Sequence, residues 1–66
     1  MGKKLKKARI DLGLKAMDVA KECGISNTYY SRLENDKAQN PSKDLMIKIS
    51  KVLKKSAADL FLSDEN

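Results

Sequence analysis

Apolar residues in this chain recur at intervals of three and four, the spacing that gathers side chains on one face of an α-helix. Leu5, Ala8 and Leu12 mark a first stripe that stops at Gly13. Ala16, Val19, Ala20 and Cys23 mark a second, closed by Gly24 in the position after a helix where positive φ is easily adopted. Ser26 then fits the N-cap of a third helix reaching about Asn35. The stretch "NDKAQNPS" is turn chemistry, with Asn, Asp and Pro close together. Ser42 suits the cap of a fourth helix with Leu45, Met46, Ile49, Val52 and Leu53 on its apolar side, and Lys43, Lys48, Lys51, Lys54 and Lys55 on the other. The residues "SAAD", Ser56 to Asp59, match a capping box ahead of Leu60, Phe61 and Leu62, which predicts a last helix over about 57–62. The β-branched residues never alternate over the length of a strand. The pattern predicts an all-α fold of five short helices in a single domain spanning 1–66.

Composition narrows the chemistry. A chain of 66 residues buries only about 60% of its unfolded surface, so its core must be compact and spare apolar surface favours a partner. Hydrophobic residues at 41% and charged residues at 35% suit a globular domain. No apolar run approaches the roughly 18 residues of a membrane span, and "MGKKLKKARI" lacks the apolar core of a signal peptide. Cys23 is the single cysteine, which excludes an internal disulfide and points to a reducing, cytoplasmic setting; it reads as a small core residue. With no histidine, Cys/His zinc sites, imidazole acid–base catalysis and Cys–His nucleophiles are all excluded. The nine acids are scattered. The expectation is therefore a protein that is not an enzyme, with no metal and no cofactor. The net charge of +5 favours a polyanionic partner.

One segment carries more information than the rest. Only Gly24, Ile25 and Ser26 separate the second and third helices, over about 16–35, so the two must cross steeply as in a helix-turn-helix. Ala20 allows close backbone approach, Gly24 makes the turn, and Ile25 fills the angle. On the third helix Tyr30 and Leu33 point toward the core. Asn27, Thr28, Ser31, Arg32 and Asn35 fall within a sector of about 140° on the other side. Those side chains suit base edges, with Asn matching adenine, Arg guanine, and Thr a methyl or phosphate; they equally suit an ordinary solvated face. Tyr29 falls at the boundary between the faces. Arg9 lies inside the first apolar stripe, where an unpaired charge is costly, and Glu34 is the acid best placed to pair with it.

With these features in place the run "LKKARIDLGLKAMDVAKECGISNTYYSRLENDK…NPSKDLMIKISKVLKKSAADLF" resembles the Cro/repressor-type (XRE) helix-turn-helix family over Leu5 to Phe61. Its marks are Arg9 with Glu34, the Ala20/Gly24/Ile25/Ser26 turn, "LEN" at 33–35, "PS" at 41–42 and Leu53 with Leu60. The resemblance implies a five-helix, lambda-repressor-like domain from a bacterial, phage or mobile-element source. It also implies a cytoplasmic, nucleoid-associated transcriptional regulator, a repressor that binds double-stranded operator DNA as a dimer. Carried over by that resemblance, Ser26, Asn27, Thr28 and Arg32 lie in the major groove, with Asn35 and Lys37 gripping phosphates. Ser31 joins the base-reading set by its face, and Tyr29 and Ser26 join the residues at the backbone. Three departures stand out. Lys15 and Ala16 replace a Ser/Thr and a phosphate-directed Gln, leaving Lys15 as a point charge. Asp36 stands where the family has Gly, with its charge expected to face the DNA. Lys43 replaces a partly buried apolar residue.

Leu60, Phe61 and Leu62 cover more than one face of a short helix, and Ile47 lies among lysines. These four residues are the expected interface of a symmetric homodimer on a palindromic operator, with Phe61 as anchor. The other reading is a protein-interaction module, such as an antitoxin or an adaptor subunit whose apolar end docks on a partner regulatory protein.

Overall fold

A computed structural model describes residues 1–38 and 40–62; Gln39 and residues 63–66, among them Asp64 and Glu65, lie outside the described residues. The chain forms α1 (Gly2–Asp11), α2 (Ala16–Cys23), α3 (Asn27–Glu34), α4 (Lys43–Leu53) and α5 (Ala58–Leu62), the last a single wide π-type turn. No strand occurs among the described residues. α2 packs on α3 and α4, while α1 packs on α3, α4 and α5. No helix of the described residues is long and apolar enough to cross a membrane.

Local chemistry sets where the helices begin and end. Ser26 Oγ accepts the Tyr29 N–H at 3.0 Å, Ser42 Oγ accepts the Leu45 N–H at 3.1 Å, and Ser56 Oγ accepts the Asp59 N–H at 3.0 Å. Each bond satisfies one of the backbone donors that a helix start leaves open. At the other ends the chain turns through the left-handed region. Gly24 has φ 72, and its N–H and that of Ile25 donate to the carbonyls of Lys21 and Ala20 at 3.1 and 3.0 Å. This is the paired closure that most often recruits glycine. α3 and α4 end the same way with side chains present, at Asp36 and Lys54, both with φ 58. Sequence reading found the glycine turns and missed Lys54.

Helices of eight to eleven residues are marginal alone, so packing must hold them. Leu5, Tyr30, Leu33, Ile49, Leu53 and Leu60 are essentially inaccessible to solvent. Each such side chain contributes about 1.5–3 kcal/mol by burial, an upper figure because unfolded chains bury some surface. Two residues differ from expectation. Leu12 is 40% exposed, because α1 stops at Asp11 and its next residue turns away; Leu14 packs on the core instead. Leu60 is 2% exposed, so the residue counted among the dimer contacts is part of the protomer's own interior. Phe61 is half-buried against the core, and Leu62 is 75% exposed.

Arg9 and Glu34 form a two-pronged ion pair across 25 residues of chain. Arg9 Nε donates to Glu34 Oε2 at 2.6 Å, and Nη2 donates to Oε1 at 3.1 Å. Arg9 Nη1 also donates to the Leu14 carbonyl at 2.9 Å. The side chains are 14% and 6% exposed, and the bond to Glu34 raises the Arg9 pKa further. Beside them lies the buried Tyr30 hydroxyl, which has no hydrogen-bond partner among the described residues. Glu34 lies close enough to act on the phenol electrostatically. Burial first, then Glu34, pushes the phenol well above its ordinary value.

Removing Glu34 strands a shielded guanidinium, so Glu34→Ala is expected to cost about 3 kcal/mol in chemical denaturation. The exposed Lys7–Asp11 pair, at 3.3 Å, supplies the control: Lys7→Ala is expected to cost under about 0.5 kcal/mol. Equal losses would contradict this account of the pair. Tyr30→Phe removes an unpaired buried hydroxyl and is expected to stabilise by about 1 kcal/mol. Because burial keeps the phenol protonated in the folded state, pH has no effect through this group below about pH 10, and stability is lost as pH climbs further. Melting curves from pH 8 to 11 should therefore show a steeper alkaline loss for the wild type than for Tyr30→Phe.

Candidate nucleic-acid interface

The third helix separates into two faces. Tyr30, Leu33 and Glu34 are buried, whereas Asn27, Thr28 and Arg32 are exposed. Among the described residues the side chains of these three make no hydrogen bond or ion pair, leaving their donors and acceptors available. Ser31 and Asn35 are arranged differently. Asn35 Nδ2 donates to the Ser31 carbonyl at 3.0 Å and contacts Ser31 Oγ at 3.4 Å, and Ser31 is only half-exposed. That engagement leaves Ser31 with less reach than its neighbours. Tyr29 is half-buried, with its ring on the core cluster, so it belongs to both faces.

The start of α3 suits an anion. It carries no acid in its first turn, and its open backbone N–H groups carry the positive end of the helix dipole. Ser26 uses its hydroxyl oxygen to cap the helix and keeps its proton for donation.

The candidate backbone contacts are brought into register by Arg9. Its guanidinium holds the carbonyl of Leu14 and the carboxylate of Glu34 together. Lys15 directly follows the first of these residues, and Asn35 directly follows the second. One side chain therefore ties the entrance of α2 to the exit of α3. Lys15 is exposed and forms no side-chain cap; a cation at a helix N-terminus is disfavoured unless an anion answers it. Lys37 is exposed in the loop after α3.

Asp36 is exposed in the loop after α3 and takes the left-handed backbone, φ 58. Its Oδ1 accepts the N–H of Gly2 at 3.0 Å, so the carboxylate is engaged with the start of α1. Sequence reading missed this contact because it links residues 34 apart, and nothing in the run "MGKK" announces it. Lys43, expected to weaken the start of α4, is exposed and directly follows the capping Ser42.

Other chemistry is sparse. Cys23 is 2% exposed and burial raises its thiol pKa, which disfavours the reactive thiolate. No group of three or more His, Cys, Asp or Glu among the described residues could hold a metal. One depression of about 190 Å³ lies between α1 and α5, and an open groove of about 770 Å³ runs along Leu12, Leu14 and Val52; neither is lined by α3.

Comparison with known proteins agrees with this geometry. The helix-turn-helix family model HTH_3 matches residues 5–60, while no curated protein and no solved structure matches the chain significantly. Because that match runs from the buried Leu5 of α1 through the turn to the buried Leu60 of α5, the chain belongs to the Cro/repressor-type (XRE) helix-turn-helix family of DNA-binding regulators.

Proposed function

We propose that the protein is a sequence-specific transcriptional regulator of the bacterial, phage or mobile-element cytoplasm, a repressor that places α3 in the major groove of a palindromic operator. The observation that carries this reading is the free outward edge of α3. Among the described residues, Asn27, Thr28 and Arg32 have unengaged side-chain polar groups on a helix whose other face is sealed. Arg32 pairs with guanine, Asn27 with adenine, and Thr28 with a methyl or phosphate, while Ser31 contributes at shorter range. Lys15, Ser26, Tyr29, Asn35 and Lys37 meet the backbone on either side and set the register. Repression follows from occupancy: a bound domain covers the operator and excludes polymerase.

A homodimer is part of the proposal. Half-sites one helical turn apart need recognition helices about 34 Å from each other. The protomer measures 30 Å along its longest axis, so two copies meeting at one edge can provide that separation. The proposed contact uses Ile47, at 41% exposure, Leu62, at 75%, and the half-buried Phe61. Leu60 supports the surface from inside and is withdrawn from the interface. The high exposure of Leu62 also favours a second reading, in which that end docks on a different regulatory protein.

Selection of binding sites from random double-stranded DNA tests the main reading and is expected to return an inverted repeat. Arg32→Ala should lose about 1–3 kcal/mol on the selected site and relax preference at one base position. Unchanged preference would remove Arg32 from base reading. For the dimer, Phe61→Ala should shift sedimentation toward monomer with helicity retained; an unaltered dimer would place the interface elsewhere. Binding of a neighbour-encoded protein with no DNA retention at physiological salt would favour the second reading.

A further inference from the structure

Asp36 sits two residues past α3, in the left-handed position where glycine is least strained, with φ 58. Aspartate tolerates this region better than most side chains, yet still gives up stability there unless its carboxylate is used. It is used on α1. The Gly2 N–H is one of the donors that α1 leaves open, and Met1 supplies no side-chain cap. Asp36 Oδ1 accepts that N–H at 3.0 Å, capping α1 from another part of the chain. Glycine is needed on the other side of the contact for a steric reason. A Cβ on residue 2 would fall inside the van der Waals shell of the Glu34 carbonyl and stand 3.0 Å from the Leu33 carbonyl. The amide end of α1 therefore abuts the carbonyl end of α3, a favourable meeting of opposite dipole ends.

We infer that Gly2 and Asp36 form a positioning latch that holds the loop after α3 in a DNA-ready shape and presents Lys37 to a phosphate. Lys37 is the next residue in the chain. Its N–H donates to the Arg32 carbonyl at 2.7 Å, and the Ala38 N–H donates to the same oxygen at 3.2 Å. Fixing the residue before it removes backbone freedom that binding would otherwise have to freeze. The latch also turns Asp36 Oδ1 toward the amide end of α1, where a negative charge is favoured. Asp36 acts through Lys37 and is a positioning residue. This inference rests on the reading of Lys37 as a phosphate contact.

The test is the salt dependence of binding to the selected site, measured with the full chain, together with amide hydrogen exchange of the free protein. Lys37→Ala should flatten the slope of log K against log salt by about 0.9, one phosphate contact. Asp36→Gly keeps the backbone conformation accessible but removes the acceptor; it should flatten the slope by a comparable amount and speed exchange at the Lys37 amide. Asp36→Asn keeps the acceptor and should retain both the slope and the slow exchange. Gly2→Ala should also lose slope and the slow exchange, with an added loss of stability because its Cβ pushes α1 off the end of α3, and the Lys37→Ala/Asp36→Gly pair should lose no more slope than either alone. An Asp36→Gly variant with a full slope and equal or tighter binding would overturn the latch, leaving the carboxylate as a repulsive charge only. An unchanged slope in Lys37→Ala would instead sink the phosphate reading, while exchange in Asp36→Gly would still decide whether the latch exists.

Discussion

The Arg9 guanidinium is the constraint on which the rest of the molecule depends. Its three contacts reach the carboxylate of Glu34 and the carbonyl of Leu14 from inside an apolar stripe. A charge that shielded is tolerated only when its donors are met, so the geometry is all-or-none in character. The consequence is directional. The end of α3 and the start of α2 are not free to drift apart, because drift would strand a cation. The Tyr30 ring, buried alongside, fills space around the pair.

α3 shows why such support is needed. Eight residues do not sustain a helix in water, and a polar outward face adds nothing to burial. Its rigidity is borrowed: Tyr30 and Leu33 anchor it below, Ser26 starts it, Asp36 closes it, and Arg9 fixes its far end. A short helix that presents a polar face gains from being held in shape in advance, since each side chain ordered on binding weakens a complex.

Much of this was legible in the sequence because the signals are local. The 3.6-residue period placed Leu5, Val19, Leu33 and Ile49 inside, and serine caps with glycine turns marked the helix ends within a residue or two. Arg9 with Glu34 was legible by a different route, through the cost of a lone charge in an apolar stripe. What escaped depended on how separate segments meet. Periodicity put Leu12 on the apolar side of α1, but the helix stops before it, and direction around a helix says nothing past its end. Leu60 and Leu62 look alike in a run of three apolar residues, and only the packing of α5 on α1 separates an inaccessible side chain from one 75% exposed. The bond between Gly2 and Asp36 had no local signature at all. For the interface, the outward residues of α3 followed from angle alone, whereas the mutual engagement of Ser31 and Asn35 required side-chain positions.

The unengaged state of Asn27, Thr28 and Arg32 bears on how such a protein changes over time. Among the described residues nothing bonds to these three side chains, and exposed substitutions of this kind usually alter stability by no more than about 0.5 kcal/mol. They are interchangeable parts. New combinations can be tried at these positions without first repairing the fold, so this outward face can diverge quickly while the architecture stays put. Tyr29, with its ring on the core, has no such freedom, and a change there alters the support and the surface together.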